Sequence, residues 1–211
     1  MTTSQEALDQ LSSSARISLG DSKSIFITFV DLCGSTNFKT YCRERDIPDG
    51  IWIERQLIFL NRVVRGIQRY NGIIIKTIGD EVMAYFDSST DSEVVLRCMT
   101  EIHTLFGDIK KYDKGLWRIE SKISVDFGEI YDSNLQLLKD DIIDPVGIIV
   151  DRCARLNSIC KPSEVVFSSS YFSILKPSQQ LKYAKLKEEK KLKGIGKSEL
   201  YRIQVGIIKT T

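Results

Sequence analysis

The sequence predicts a single α/β domain, a sandwich with its helices on one face of a largely antiparallel sheet. Apolar runs and amphipathic segments follow the order strand–helix–strand–strand–helix–strand, which is the ferredoxin-like split βαβ arrangement. The 211 residues fit one domain, because domains span roughly 100–200 residues. No internal repeat or interdomain linker interrupts the chain. We expect a short polar arm over residues 1–22, one folded domain over 23–211 and a small β extension at the C-terminal end.

Short apolar runs bounded by turn residues supply the predicted strands. The first is rich in Ile, Phe and Val, as a buried strand is. The second and third join at Gly79-Asp80, which is typical of a tight hairpin with glycine first. The predicted strands are Ser24–Leu32, Gly72–Ile78, Glu81–Phe86, Ile119–Phe127, Glu164–Phe167, Leu181–Lys185 and Leu200–Val205. The last two flank a lysine-rich stretch and form the β extension.

Apolar residues three and four apart supply the predicted helices. A helical region opens at Gly34-Ser35-Thr36, and a long helix ends near Tyr70-Asn71-Gly72. A further helix extends from Pro145 to Ile159, with Asp144 as its N-cap and Pro145 at its first position. The apolar stripe of the long helix is Ile53, Leu57, Leu60, Val64 and Ile67, and that of the helix after it is Val95, Cys98, Ile102 and Leu105.

The composition excludes several classes of function. Lys and Arg number 30 against 28 Asp and Glu, which leaves a formal charge of +2. Such a balance argues against a dedicated nucleic-acid binder or a polybasic membrane binder. His103 is the single histidine, so Ser-His-Asp hydrolysis and multi-histidine zinc sites are disfavoured. Any chemistry therefore has to come from carboxylates, Lys, Arg, hydroxyls and bound metal.

The cysteines and the apolar runs indicate a cytoplasmic protein. The chain has 5 cysteines with no CxxC spacing, a pattern that fits reduced thiols better than disulfides or a zinc ribbon. Cys98 and Cys153 fall in apolar helical patterns, where a free cysteine behaves as a small hydrophobe. The apolar runs are too short to span a bilayer, and no secretory signal is visible at the N-terminus.

Two aspartates are candidate metal ligands. Asp31 ends the first strand within three residues of Gly34-Ser35-Thr36, where a carboxylate can hold a divalent ion and free helix N–H groups can donate to phosphate. The alternative for Asp31 is a helix cap. Asp80 stands at a hairpin tip, where aspartate is also common for turn reasons, but apolar strands on both sides suggest a central hairpin. Carboxylates on adjacent central strands suit a two-metal site for phosphoryl or nucleotidyl transfer.

Four other positions stand out by type and spacing, each with a simpler alternative. Lys76 lies in an apolar strand, where its ammonium needs a partner or a cleft, or else it snorkels at the sheet rim. Asp151 and Arg155 share a helix face and could be an ordinary ion pair. Lys193 belongs to a basic glycine-containing loop that could simply be solvated.

Together these segments resemble the class III nucleotide cyclases. Phe29–Thr36 is similar to the family's first metal-aspartate segment, and Lys76–Ala84 to its hairpin with a base-reading lysine and the second metal aspartate. Asp144–Leu156 resembles the helix that carries the transition-state Asn and Arg, and Lys193-Gly194 the lysine that contacts the triphosphate. The resemblance extends from about residue 24 to residue 205, so it implies that 23–211 is a cyclase catalytic domain.

The resemblance implies where metal and phosphates bind. Asp31, Asp80 and the backbone carbonyl of Leu32 would hold two Mg²⁺ or Mn²⁺ ions, and Gly34-Ser35-Thr36 would contact the phosphates. The ribose 3′-hydroxyl would then attack the α-phosphorus, with pyrophosphate leaving and a 3′,5′-cyclic nucleotide forming.

The resemblance also implies a homodimer with two shared sites. Asp31 and Asp80 of one protomer would face five residues of the other: Lys76, Asp144, Asp151, Arg155 and Lys193. Arg155 would stabilise the transferring phosphoryl group and Lys193 the terminal phosphates. At position 151 the family usually has Asn, which orients the ribose. Asp151 keeps an acceptor but loses the amide donor and adds negative charge, which puts full activity in doubt.

The nucleobase stays open at this point. Lys76 and Asp144 match the adenine-reading pair of adenylate cyclases, because Lys donates to a ring nitrogen while Asp accepts from an exocyclic amine. Guanine presents the reverse pattern, a carbonyl acceptor and a ring N–H donor. Cytosine presents the same ring acceptor and amino donor as adenine. Uracil has the reverse pattern too, but in a shifted pose Lys76 could donate to its carbonyl and Asp144 could accept from its N–H. Pocket length would then decide, and Trp52 is a bulky candidate that could also pack in the core.

ATP is favoured by motif, and three alternatives remain. The chain is nearly all catalytic domain, and small cyclases resembling the family occur in Pycsar anti-phage systems, which make cyclic CMP or cyclic UMP. A non-catalytic nucleotide-binding homologue is the second alternative, with Asp151 as a sign of decay. A diguanylate cyclase is suggested by Ile78–Glu81, which resembles a GGDEF turn, but this chain lacks the first glycine of that turn.

Overall fold

The computed structural model describes residues 22–109, 118–132 and 145–205. The first two thirds of the described chain contain β1 (Ser22–Leu32), α1 (Ser35–Glu44), α2 (Gly50–Arg69), β2 (Ile73–Ile78), β3 (Glu81–Asp87), α3 (Ser92–Ile102) and β4 (Ser121–Asp132). The remainder contains β5 (Pro145–Val146), α4 (Ile148–Ser158), β6 (Glu164–Ser168), α5 (Ser169–Ser173), α6 (Pro177–Tyr183), β7 (Lys187–Leu192) and β8 (Gly196–Gln204). Of the predicted arm, only Ser22 lies within the described residues.

The sheet confirms the predicted ferredoxin-like core. Its strand order is β2-β3-β1-β4-β6-β8-β7, with the short β5 paired to β4. The β4–β6 pair is parallel, and the other pairs along that path are antiparallel. The first four strands in this order are those of the βαββαβ unit. The β8–β7 hairpin is the small C-terminal extension.

Helices cover both faces of the sheet, so the prediction of helices on one face is wrong. Successive residues of β1 point to opposite faces. Phe26 and Val30 pack with residues of α2 and α3 in one apolar cluster. Ile27 and Phe29 pack with residues of α4 in another. The sheet therefore has a second core, beneath α4. Asp31 lies two residues after Phe29, so its side chain is on the face of the sheet that α4 covers.

The side of the long helix α2 that faces the core agrees only in part with the predicted stripe. Ile67 is buried, and Leu60 and Val64 pack against the core. The helix also buries Phe59 and Val63. Ile53 and Leu57 are 40% and 59% exposed. Periodicity alone could not choose between these stripes, because apolar residues occur around most of the helix.

Two predicted elements near the C-terminal end are also wrong. Pro145 begins a short strand, since β5 pairs with Asp132 and Tyr131 of β4, and α4 begins only after Gly147. The predicted strand Leu181–Lys185 lies in α6 and the short 3-10 helix after it, and the lysine-rich stretch is the strand β7 instead.

The cysteine prediction is confirmed for the thiols. All five are free, and four of them are buried, while Cys33 is half-buried. Cys98 and Cys153 both pack inside apolar clusters. Within the described ranges, no helix has the length and apolarity that crossing a membrane requires.

Candidate active site

Asp31 lies at the end of β1, between two other charged residues. In the sheet its neighbours are Glu81 on β3 and Lys122 on β4. Lys122 Nζ is 2.9 Å from Asp31 Oδ2, and both side chains are nearly four-fifths buried. The helix-cap alternative is wrong, because α1 begins after Gly34 without a side-chain cap.

Burial and the neighbouring charges shift the pKa values of Asp31, Glu81 and Lys122. Burial raises the pKa of Asp31, while the hydrogen bond and the charge of Lys122 partly offset the rise and Asp80 adds to it. Burial raises the pKa of Glu81 to about 7, with Asp31 and Asp80 contributing in the same direction. Burial alone lowers the pKa of Lys122, but Asp31 and Glu81 reverse this, and its pKa ends above the usual value.

Asp80 follows Gly79 in the turn between β2 and β3. Gly79 has a φ of 65°, a left-handed conformation that glycine adopts without a Cβ penalty. Asp80 is half-buried, and its charge reaches both Asp31 and Glu81. The structure thus places Asp80 in the same electrostatic neighbourhood as Asp31. The hairpin is not central, however, because β2 is the edge strand of the sheet.

This cluster of three carboxylates and one ammonium fits divalent cations. The excess negative charge and the hard oxygen donors are what Mg²⁺ and Mn²⁺ prefer. Within the described segments, no three Asp, Glu, His or Cys side chains are close enough to enclose a metal ion. A cation held by Asp31, Asp80 and the carbonyl of Leu32 would therefore complete its coordination with water, or with the phosphate oxygens of a bound triphosphate.

The helix α1 begins three residues beyond Leu32. Gly34 has a φ of 68° and turns the chain into the helix. Ser35 is buried and Thr36 is exposed. Backbone N–H groups in the first turn of a helix have no carbonyl partner within that helix. They make this end of α1 suitable for contacts with phosphate oxygens.

Lys76 and Trp52 lie in surroundings other than those considered from sequence. Lys76 is exposed on the edge strand β2, so the argument from a buried strand does not apply to it. Trp52 is only partly buried: its indole N–H donates to Asp49 at 2.8 Å, and the Lys39 ammonium lies 4.9 Å from its ring centroid. Core packing of Trp52 is therefore wrong. Asp144 lies outside the described residues.

Asp151 and Arg155 lie on the outer side of α4. The buried residues of this helix, among them Cys153 and Leu156, face the sheet. Asp151 and Arg155 are both exposed. The i,i+4 alternative does not hold, because within the described part of the chain the two side chains form no ion pair. Both side chains therefore face solvent.

Lys193 lies in the turn between β7 and β8 and is exposed. Gly194 in the same turn has a φ of 80°. Strand β7 is four steps along the sheet from β1, which is roughly 19 Å at ~4.8 Å per strand. Within one chain, the structure brings Asp31 and Asp80 into one electrostatic group, and the turn that carries Lys193 lies apart from them along the sheet.

An anchor for α4 was missed by the sequence reasoning. Asp126 on β4 is fully buried. Arg152 donates to it through Nε at 2.6 Å and Nη2 at 2.8 Å, and the Ser168 hydroxyl and the Phe127 N–H also donate to it. Arg152 further donates to Ser170. A charged residue within the apolar run Ile123–Phe127 was the available signal, and this network fixes α4, which presents Arg155.

Lys122 and Glu81 were missed as well. Lys122 lies just before the apolar run Ile123–Phe127, where a lysine at a strand end is unremarkable. Glu81 follows Asp80 directly, and only the β1–β3 register brings it opposite Asp31. Neither relationship is visible without the pairing of strands that are distant in sequence.

Both the sequence and the fold of the chain are similar to those of known proteins. Residues 18–205 match the family model for the adenylate and guanylate cyclase catalytic domain. No curated protein matches the sequence significantly. Among solved structures, the guanylyl cyclase Cya2 superposes with a TM-score of 0.74 at 18% identity, covering 92% of this chain and 98% of that one.

Two further structures share the fold at similar distance. The adenylyl cyclase CyaB from P. aeruginosa has a TM-score of 0.71 at 16% identity and covers 90% of this chain and 98% of its own. The guanylate cyclase domain of RhGC from Catenaria anguillulae, in complex with GTP, has a TM-score of 0.66 at 15% identity and covers 88% and 99%. At such identities the likeness establishes the fold, and it includes structures named for different nucleotides.

Proposed function

Since this chain belongs to the adenylate and guanylate cyclase catalytic domain family, we propose that it is a nucleotide cyclase. It converts a nucleoside triphosphate, ATP by its motifs, to the 3′,5′-cyclic monophosphate and pyrophosphate at a homodimer interface. The observation that carries this proposal is the coupled group of Asp31, Asp80 and Lys122 at the ends of β1, the β2–β3 turn and β4. The free thiols fit the reducing environment of the cytoplasm.

The metal half of the site belongs to one protomer. Asp31, Asp80 and the Leu32 carbonyl would hold two Mg²⁺ or Mn²⁺ ions, which when bound lower the pKa of the ribose 3′-hydroxyl and neutralise phosphate charge. Lys122 lies beside Asp31, and its ammonium forms ion pairs with the phosphates. The N–H groups at the start of α1, next to Gly34, bind and orient the phosphate chain.

The second half comes from a second copy of the chain. Arg155 is exposed on the outer side of α4, so its guanidinium can stabilise charge on the transferring phosphoryl group of a neighbouring site. Asp151, one turn earlier, accepts from the ribose, and Lys193 binds the terminal phosphates. The roughly 19 Å between β1 and β7 supports this division, since one chain cannot bring Lys193 to its own Asp31.

The base is read by Lys76 and Asp144 in this proposal. Lys76 is exposed on the edge strand β2, where a molecule bound between two copies can contact it. A lysine donor with an aspartate acceptor favours ATP and disfavours GTP.

A pyrimidine cyclase, making cyclic CMP or cyclic UMP in anti-phage signalling of the Pycsar kind, is the second candidate. Trp52 favours it, because the indole is half-exposed and lies one helical turn before Gln56, which contacts the Asp80 hairpin. A bulky ring on that side of α2 shortens the space for a base. Substitution of Trp52 by Leu should then raise the rate with ATP relative to CTP and UTP.

The test is incubation of the purified protein with ATP, GTP, CTP and UTP, each with Mn²⁺ or Mg²⁺, and product analysis by mass spectrometry. We expect one cyclic monophosphate with an equal amount of pyrophosphate. Asp31→Asn should abolish it, while Asp87→Asn, an exposed carboxylate at the other end of the hairpin, should not. Absence of any cyclic product in all eight mixtures would leave a non-catalytic nucleotide-binding homologue.

A further inference from the structure

Two adjacent residues of α2 each contact the backbone next to one of the two candidate metal aspartates. Arg55 donates through Nη2 to the carbonyl of Cys33 at 3.1 Å, two residues after Asp31. Gln56 donates through Nε2 to the carbonyl of Gly79 at 2.9 Å, directly before Asp80. One turn of one helix therefore touches both segments that carry the carboxylates.

The side chain of Arg55 is buried and is held by hydrogen bonds to two carbonyls. Its residue is 2% exposed, and the same Nη2 also donates to the carbonyl of Arg118 at 2.7 Å. The guanidinium lies 5.1 Å from the ring centroid of Phe38 on α1. Arg55 thus ties α2 to the chain leaving β1, to the chain entering β4 and to α1.

Gln56 holds a segment that is otherwise poorly supported. Its contact is to the β2–β3 turn, at the edge of the sheet, where β2 has one neighbouring strand. Gly79 has nothing within 4 Å of the position where a Cβ would stand. The turn therefore has little packing around it, and the amide of Gln56 is a fixed point for its backbone.

The other end of the Gln56 amide is also informative. Gln56 Oε1 is buried, and it has no hydrogen-bond partner among the described residues. An unsatisfied buried acceptor destabilises a fold by ~1–3 kcal/mol. The Gln56 amide is therefore better explained by its contact with the Gly79 carbonyl than by a contribution to stability.

We propose that Arg55 and Gln56 are positioning residues that set the spacing of Asp31 and Asp80, with Gln56 holding the Asp80 hairpin for metal binding. This rests on the proposed function only in assigning divalent cations to the two aspartates. Residues that orient metal ligands from outside the site typically change metal affinity by roughly 10- to 100-fold when removed. Gln56 acts through one hydrogen bond to the backbone, so the lower end of that range applies.

The test compares Gln56→Met, which keeps the length of the side chain but removes the amide, with Gln68→Met as a matched control. Gln68 lies on the same helix and is exposed, three turns away from the hairpin. Mn²⁺ binding to the protein without nucleotide is measured by isothermal titration calorimetry at pH 8. We expect the Kd of Gln56→Met to rise about tenfold and that of Gln68→Met to stay within twofold of the wild type. The thermal midpoint of Gln56→Met should be no lower than that of the wild type, because the substitution also removes the unsatisfied acceptor.

A second readout separates positioning from a general loss of structure. In the cyclase assay, the half-saturating Mn²⁺ concentration of Gln56→Met should rise by the same factor, while kcat at saturating Mn²⁺ recovers. Arg55→Lys, which keeps a cationic donor on a shorter side chain, should give an intermediate shift. Unchanged Mn²⁺ affinity in Gln56→Met, or a kcat that excess Mn²⁺ does not restore, would overturn the proposal.

The calorimetry also keeps this inference distinct from the proposed function. If the wild type makes no cyclic nucleotide but Gln56→Met still weakens Mn²⁺ binding, the positioning role stands and the cyclase proposal fails. If the wild type is an active cyclase and Gln56→Met binds Mn²⁺ normally, the positioning role fails alone.

Discussion

Lys122 and Asp31 form an ion pair across the β1–β4 ladder, with 2.9 Å between Nζ and Oδ2. The pair lies at the end of two interior strands and is flanked by Glu81 on β3. An ammonium at this position balances part of the negative charge that a divalent cation would otherwise balance. In the proposed site, Lys122 and a bound cation would compete for Asp31, and a bound phosphate would give the lysine a new partner.

Replacing Lys122 by Met should have opposite effects on metal and on substrate. Without nucleotide, Mn²⁺ should bind more tightly at pH 8.5, because the competing positive charge is gone. The KM for the triphosphate should rise roughly 10- to 100-fold, since hydrogen bonds to charged groups contribute ~1.5–3 kcal/mol. Calorimetry and steady-state kinetics measure the two effects. A KM equal to that of the wild type would show that Lys122 does not contact the triphosphate.

Replacing Asp151 by Asn should change turnover several-fold or more. The substitution restores an amide donor toward the ribose and removes a negative charge near the polyphosphate. Because Asp151 is exposed on α4, the fold should tolerate the change with little effect on the thermal midpoint. Initial rates at saturating triphosphate measure the effect. Identical rates would mean that position 151 does not contact the substrate.

The buried pair of Asp126 and Arg152 should show strong coupling. Removing one partner leaves the other charge buried, which costs about 3–5 kcal/mol, so Asp126→Asn and Arg152→Met should each be strongly destabilising. The double variant should lose much less than the sum, because no uncompensated charge is left. Urea denaturation of all four proteins gives the coupling energy. Additive losses would show that the pair does not act as a unit.

Sequence patterns predicted the βαββαβ core and the positions of Asp31, Asp80, Asp151 and Arg155, because these depend on local periodicity and motif order. They did not predict that β2 is an edge strand or that α4 covers the second face. Both properties depend on the pairing of strands far apart in the chain. The same reason hid Lys122 and Asp126, each of which gains its partner only through tertiary structure.

The stability of the fold should fall in mild acid because of His103. Burial lowers the pKa of His103 from 6.5 to about 4, and Ser121 Oγ lies 2.8 Å from its Nδ1. A group whose pKa is depressed on folding favours the folded state above its unfolded pKa. That contribution, at most ~3 kcal/mol, is lost as the pH falls from 6.5 toward 4.

His103→Gln offers the comparison, because glutamine can still hydrogen-bond Ser121 but does not titrate in this range. Urea midpoints measured between pH 7.5 and pH 4.5 should decline more steeply for the wild type than for the variant. Parallel declines would mean that His103 keeps an ordinary pKa in the fold.

The central claim is that Asp31 and Arg155 act in the same active site but come from different copies of the chain. Mixing inactive Asp31→Ala with inactive Arg155→Ala tests it directly. Random pairing of equal amounts makes half of the dimers mixed, and each mixed dimer has one intact site of two, so about a quarter of the wild-type rate should return. The rate should follow the heterodimer fraction as the ratio is varied. A mixture that stays inactive, although native mass spectrometry shows the mixed dimer, would contradict the shared site.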